Sequence, residues 1–163
     1  MHIPSGSTAT VELVRFDQAL KTALEPSPDY DITKWLYVPN YYGEYRYILG
    51  TRGEKPLICV GVNPSTAAPG DLDNTLKSVE RVAHHNGYDS FIMFNVYAQR
   101  ATRPEDMEKS CNAALHAENM RAFDYALSLQ NRLKCRAHVR CAISCGPGIS
   151  GPAYRSWLQR RHM

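Results

Sequence analysis

Hydrophobic positions along the chain alternate between helical spacing and short unbroken runs, and the changes between the two mark the elements. In residues 11–24, Leu13, Phe16, Leu20 and Leu24 recur at near-helical spacing, which predicts a helix ended by Glu25-Pro26-Ser27-Pro28. Two aromatic runs follow, at 35–38 and 45–49, separated by Pro39-Asn40 and Gly43, and they read as a β-hairpin. Residues 57–62 form an apolar run bounded by Pro56 and closed by Gly61 and Asn63-Pro64: a buried strand that stops abruptly in a loop. Asp73 can cap a helix whose inner face is Leu76, Val79 and Ala83, with Asn86-Gly87 as its stop. Residues 90–95 are a second apolar run, ending in Asn95. Strand, helix, strand implies parallel pairing across a crossover helix, so Asn63 and Asn95 are expected as neighbours at one sheet edge.

Farther along, Thr102 and Glu105 have capping-box spacing, with Pro104 tolerated in the first turn. A helical region is expected to about residue 130, broken near 110–115. Residues 137–144 read as a third core strand, running into Cys145-Gly146-Pro147-Gly148, and 154–161 as a closing helix with Trp157 and Leu158 to pack. Residues 1–10, rich in Ser, Thr, Gly and Pro, are expected to be disordered, and 11–163 to form a single α/β domain with a mostly parallel sheet.

Composition changes this picture little, charge rather more. With 44% hydrophobic and 21% charged residues in 163, the chain is long enough for a core that needs no disulfide or metal. No apolar run approaches membrane-spanning length, and the first ten residues lack a basic region followed by a hydrophobic one, so cytoplasmic residence is expected. Five cysteines, an odd number, suggest reduced thiols. Residues 1–124 carry 12 Lys/Arg against 16 Asp/Glu, a balance of −4, whereas 125–163 carry seven Lys/Arg and no acid, a balance of +7. That basic end suits either a polyanion such as nucleic acid or a solvated face.

The chemistry concentrates in the loop after residue 62. Asn63, Ser65 and Thr66 put an amide and two hydroxyls at the carboxyl end of a strand, where open α/β sheets bind ligands. A carboxamide at a strand end, as at Asn95, offers one acceptor and two donors in a plane and can bond a base edge in two places. Asn63 can hold a water and backbone amides in 65–67 a phosphate, but an Asn removes no proton. Arg100 suits phosphate contact or pairing with Asp73 or Glu105; Asp73 suits capping or a carboxylate role at the pocket. The hairpin tyrosines suit base stacking or packing. Cys135, His138, Cys141 and Cys145 resemble a ligand list, but strand alternation points His138 and Cys141 opposite ways, so no metal and no cofactor are expected. His84-His85 reads as a solvated pair.

Several motifs occur in one order: Arg46-Tyr47, Asn63-Pro64-Ser65-Thr66-Ala67, Asp73-Asn74-Thr75, and residues 95–102 from Asn95 through Tyr97 and Arg100 to Thr102. Over residues 45–150 this series resembles a microbial and phage family, the domain of unknown function 1643. More distantly, Gly61-Val62-Asn63-Pro64, the 90–95 strand ending in Asn95, and Arg100-Ala101-Thr102 are similar to motifs of the uracil-DNA glycosylase superfamily. That resemblance implies a three-layer α/β/α sandwich around a four-stranded sheet. Taken with the residue chemistry and the other motifs, it leads to an expected site in which Asn63 and Asp73 act on the reaction while Gly61, Pro64, Ser65, Thr66, Asn95, Tyr97, Arg100 and Thr102 hold a nucleobase, nucleotide or nucleic acid. No match to the superfamily's His-Pro-Ser-Pro-like loop occurs in the 163 residues, since His162 is not followed by proline: either the chain lacks that element or this version ends before it. N-glycosidic hydrolysis and binding without turnover, as in an interaction module, therefore both stand as expectations. Oligomeric state is left open.

Overall fold

A computed structural model describes Pro4, residues 7–132 and Arg140–Cys141. In chain order these form α1 (Phe16–Thr22), β1 (Trp35–Val38), β2 (Ile48–Thr51), β3 (Pro56–Gly61), α2 (Asn74–His85), β4 (Ser90–Asn95), a 3₁₀ turn (Pro104–Asp106), α3 (Ala113–Arg132) and β5 (Arg140–Cys141). The expected closing helix, the Gly146-Pro147-Gly148 loop, most of the basic end, Cys135, His138 and Cys145 lie outside the described residues, and only Arg140 and Cys141 of the expected third strand lie inside them. No helix among the described residues is long and apolar enough to cross a membrane.

The five strands lie in the order β1-β2-β4-β3-β5. β3 and β4 are parallel in the register Leu57↔Phe91 to Gly61↔Asn95, as the strand–helix–strand pattern predicts. β5 adds to the outer side of β3 in parallel, Cys59 facing Arg140. The expectation of a mostly parallel sheet is corrected, however. β1 and β2 are antiparallel to each other, and β2 lies antiparallel to β4 with Ile48 opposite Phe94, so the sheet is mixed. The hairpin is part of the sheet because its apolar residues cover the otherwise open edge of β4. Periodicity along a chain reports which residues are strand but not which edge they join.

Helices cover both faces. On one, Ile48, Val60, Ile92 and Phe94 pack with Phe16 and Ala19 of α1 and Leu115, Ala122 and Ala126 of α3. On the other, Leu49, Leu57, Cys59, Phe91 and Met93 pack against Leu76, Val79 and Ala83 of α2. β3 and β4 are buried along their whole length, which is why both read as continuous apolar runs rather than alternating ones. α2 begins where Asp73 Oδ1 accepts from the Leu76 amide at 2.9 Å and ends at Asn86 followed by Gly87 with φ +70. The expected capping box at Thr102 and Glu105 opens no long helix. A single 3₁₀ turn stands there, and α3 starts beyond it, where Asn112 Oδ1 accepts from the Ala114 and Leu115 amides. Within the first ten residues, Thr8 is buried and holds both oxygens of Glu108, through its amide at 2.8 Å and its hydroxyl at 2.7 Å.

Cys59 sits inside the layer under α2, and burial pushes its thiol up to about 11 from 9. The contribution of the protonated thiol to stability is complete below pH 9 and is lost as pH climbs toward 11, because the unfolded chain ionises first. Two units correspond to about 2–3 kcal/mol at pH 11. Urea denaturation at pH 8 and 11 is therefore expected to show a steeper alkaline loss for the natural chain than for Cys59→Val; parallel losses would refute this burial effect.

Candidate functional site

Four strand ends meet at one end of the sheet: the finish of β1, the approach to β2, and the carboxyl ends of β3 and β4. The approach to β2 runs antiparallel to the segment leaving β4. Arg46 donates its amide to the Ala98 carbonyl at 2.9 Å, Arg100 donates to the Glu44 carbonyl at 2.7 Å, and Tyr45 bridges Gln99 between them. Side chains alternate along such a pair. Tyr45 packs on the α1–α3 side and Gln99 Oε1 accepts from the Glu108 amide, so Arg46 and Arg100 both turn to the α2 side.

There the two guanidiniums converge. Arg46 Nη1 donates to the Ala67 carbonyl at 2.8 Å, and Arg100 Nη1 donates to the same oxygen at 3.2 Å and to the Ser65 carbonyl. Arg100 Nη2 donates to the Tyr37 hydroxyl at 2.9 Å, and the Tyr42 ring lies over the guanidinium at 4.1 Å. Arg46 is 2% exposed and Arg100 0%. Burial, and next the Arg100 charge, push Arg46 well below the ordinary arginine range, while the Tyr37, Asp73 and Tyr42 side chains pull it back. Burial likewise raises the Tyr37 phenol, against the pull of Arg100. Among the described residues no carboxylate forms an ion pair with either arginine, so of the two alternatives for Arg100 the pairing with Asp73 or Glu105 gives way to carbonyl and phenol contacts.

Asn95, the last residue of β4, faces the same side. A Cβ built on its partner Gly61 would lie 2.6 Å from Asn95 Oδ1, so the carboxamide lies across the bare backbone of Gly61. Asn95 is fully buried, yet among the described residues neither its Oδ1 nor its Nδ2 has a hydrogen-bond partner. Buried polar atoms are nearly always satisfied, and a cluster of exceptions calls for a physical reason. Arg46 Nε and Arg100 Nε are further exceptions at the same end.

The other expected residues divide. Asn63 stays at this end, but its amide braces the loops, donating to the Ala101 carbonyl at 2.7 Å and to that of Pro64 at 3.0 Å. Pro64 in turn accepts from the Ala101 amide, and half-buried Ser65 and Thr66 continue the loop round Arg100. Asp73 serves as the α2 cap, at the helix end nearest this group. Half-buried Thr102 lies on the segment leaving it. Tyr97 is not brought to the arginines. Its hydroxyl donates to Glu108 and accepts from the Asn112 amide at 2.9 Å, within the α1–α3 layer, where it helps to fasten Thr8. Although partial burial acts against it, the bonds from Thr8 and Tyr97 hold the Glu108 carboxyl below its ordinary range.

Arg46, Tyr37, Tyr42 and the Ala67 carbonyl are absent from the expected site. Arg46 opens the motif series as Arg46-Tyr47, but its position next to an apolar strand is one that a solvated edge explains equally well. No group of three or more potential metal ligands gathers among the described residues.

A family model described as a protein of unknown function (DUF1643) matches residues 46–139, more than half of the chain and the span that carries Arg46, Asn63, Asn95 and Arg100. No curated protein and no solved structure matches the chain.

Proposed function

The chain belongs to the DUF1643 family of proteins of unknown function, and we propose that it binds a nucleobase-bearing ligand at the carboxyl end of β3 and β4, with Asn95 reading the base edge. The observation that carries this reading is the Asn95 carboxamide, buried over the bare backbone of Gly61 with both polar atoms unpaired among the described residues. A planar acceptor–donor group of this kind matches the edge of a heterocycle, and the hydrogen bonds lost to burial are recovered when the ligand arrives. Similarity of Gly61-Val62-Asn63-Pro64 and the β4 end to glycosylase-superfamily motifs supports the same choice of ligand. Tyr42, about half exposed over Arg100, offers a ring for stacking.

Binding is favoured over turnover. Both hydrogens of the Asn63 amide are engaged on carbonyls, leaving its oxygen to hold a water, and Asp73 is committed to the helix cap. Titration with free bases and nucleosides is expected to give saturable binding of one base class, weakened about tenfold or more in Asn95→Leu by loss of a bidentate contact. Release of free base from DNA or nucleosides, abolished in Asn63→Ala, would establish hydrolysis instead. Absence of any base preference, with Asn95→Leu binding as well as the natural chain, would remove the proposal.

A further inference from the structure

Base recognition by Asn95 leaves the two arginines without a purpose. Buried cations are almost always paired with an anion, because a guanidinium taken out of water gains little from a carbonyl dipole alone. Here two such groups share the Ala67 oxygen, and among the described residues each retains an Nε–H without an acceptor and no carboxylate is ion-paired with them. Asp73, whose field acts on Arg46, spends its Oδ1 on the Leu76 amide. Like charges side by side in a low-dielectric layer repel, and that repulsion is relieved by a ligand carrying the opposite sign.

We propose that Arg46 and Arg100 form the seat of a phosphomonoester dianion, so that the ligand of this site is a nucleoside monophosphate or a phosphorylated strand end rather than a free base. A carboxylate or a phosphodiester brings one negative charge and leaves one guanidinium uncompensated. A terminal phosphate carries close to two at neutral pH, and its oxygens suit the planar forks of two arginines. Tyr42 is 50% exposed while Arg100 beneath it is fully buried, so the ring separates the guanidinium from solvent and is the group that an entering phosphate displaces. The inference rests on the base-binding reading for the rest of the ligand, but its phosphate arm can be tested separately.

The test is calorimetric titration of the full chain with the four deoxynucleosides, their 5′-monophosphates, inorganic phosphate, and an oligonucleotide with and without a 5′-phosphate. At least one monophosphate is expected to bind about ten- to hundredfold tighter than its nucleoside. Arg46→Lys and Arg100→Lys should shrink that ratio. Inorganic phosphate should raise the melting temperature above that in chloride of equal ionic strength, a readout that stands even if the variants fail to fold. Tighter binding of the phosphorylated oligonucleotide than of any mononucleotide would identify the strand end; the reverse order, the free nucleotide. Equal affinity for nucleoside and monophosphate would overturn the phosphate seat and leave the base reading intact. Phosphate binding indifferent to the base and to Asn95→Leu would do the opposite. No binding and no thermal shift would overturn both.

Discussion

Asn95→Leu is expected to stabilise the free protein while removing ligand recognition. Leu has the same number of side-chain heavy atoms beyond Cβ as Asn and places two methyls where the carboxamide holds two polar atoms unpaired among the described residues. An unsatisfied buried polar group costs about 1–3 kcal/mol, so two of them, less the greater bulk of the methyls beside Met93, leave a net gain of about 2 kcal/mol. Urea denaturation of the natural chain and the variant, without ligand, measures it directly. Opposite effects on stability and binding are the mark of a residue kept for a ligand. A variant less stable by a similar amount would mean that the folded protein already satisfies Asn95, and the site would lose its main support.

Gly50→Ala is expected to be the most damaging single change in the sheet, and Gly61→Ala a selective one. At Gly50 a Cβ would sit 2.3 Å from the Phe91 carbonyl oxygen and 2.9 Å from the Ile92 Cα, both backbone atoms of the neighbouring β4. Neither can move without separating β2 from β4, so the loss is about 3 kcal/mol or more, a large part of the stability of a domain this size. At Gly61 the added methyl would meet Asn95 Oδ1 at 2.6 Å and Met93 Cε at 2.7 Å, both ends of side chains that can turn. Stability should fall by about 1 kcal/mol while ligand affinity falls sharply, because the carboxamide is pushed off its position. Circular dichroism melts and ligand titrations separate the two variants. Equal effects on stability would show that the β3–β4 end is as rigid as the β2–β4 seam.

The comparison of expectation with structure turns on a few residues. β3, α2 and β4 were legible because each carries its own local signal: continuous apolar runs for strands buried on both faces, Asp73 and Gly87 as helix punctuation, and a single helical stripe between them. The parallel pairing of β3 and β4 followed from the strand–helix–strand pattern, but the register sets Gly61 rather than the expected Asn63 opposite Asn95. By contrast, the capping-box spacing at Thr102 and Glu105 is a local pattern that tertiary bonding overrode, and Asn112 took its place. Tyr97 lies in the same motif as Arg100 but belongs to the opposite layer, since its hydroxyl is claimed by Glu108.

By itself, then, the amino-acid order determined where the buried strands stop, that two of them run side by side, and that polar groups collect where they end. These are consequences of period, chain stiffness and backbone hydrogen bonding, which act over a few residues. Only the folded chain decided that the hairpin closes the edge of β4 and that Arg46 and Arg100, 54 positions apart, turn to one side and meet at the Ala67 oxygen. Burial and charge pairing are properties of the neighbours a side chain acquires in space. An arginine before a strand looks alike in the sequence whether it meets water or a second arginine.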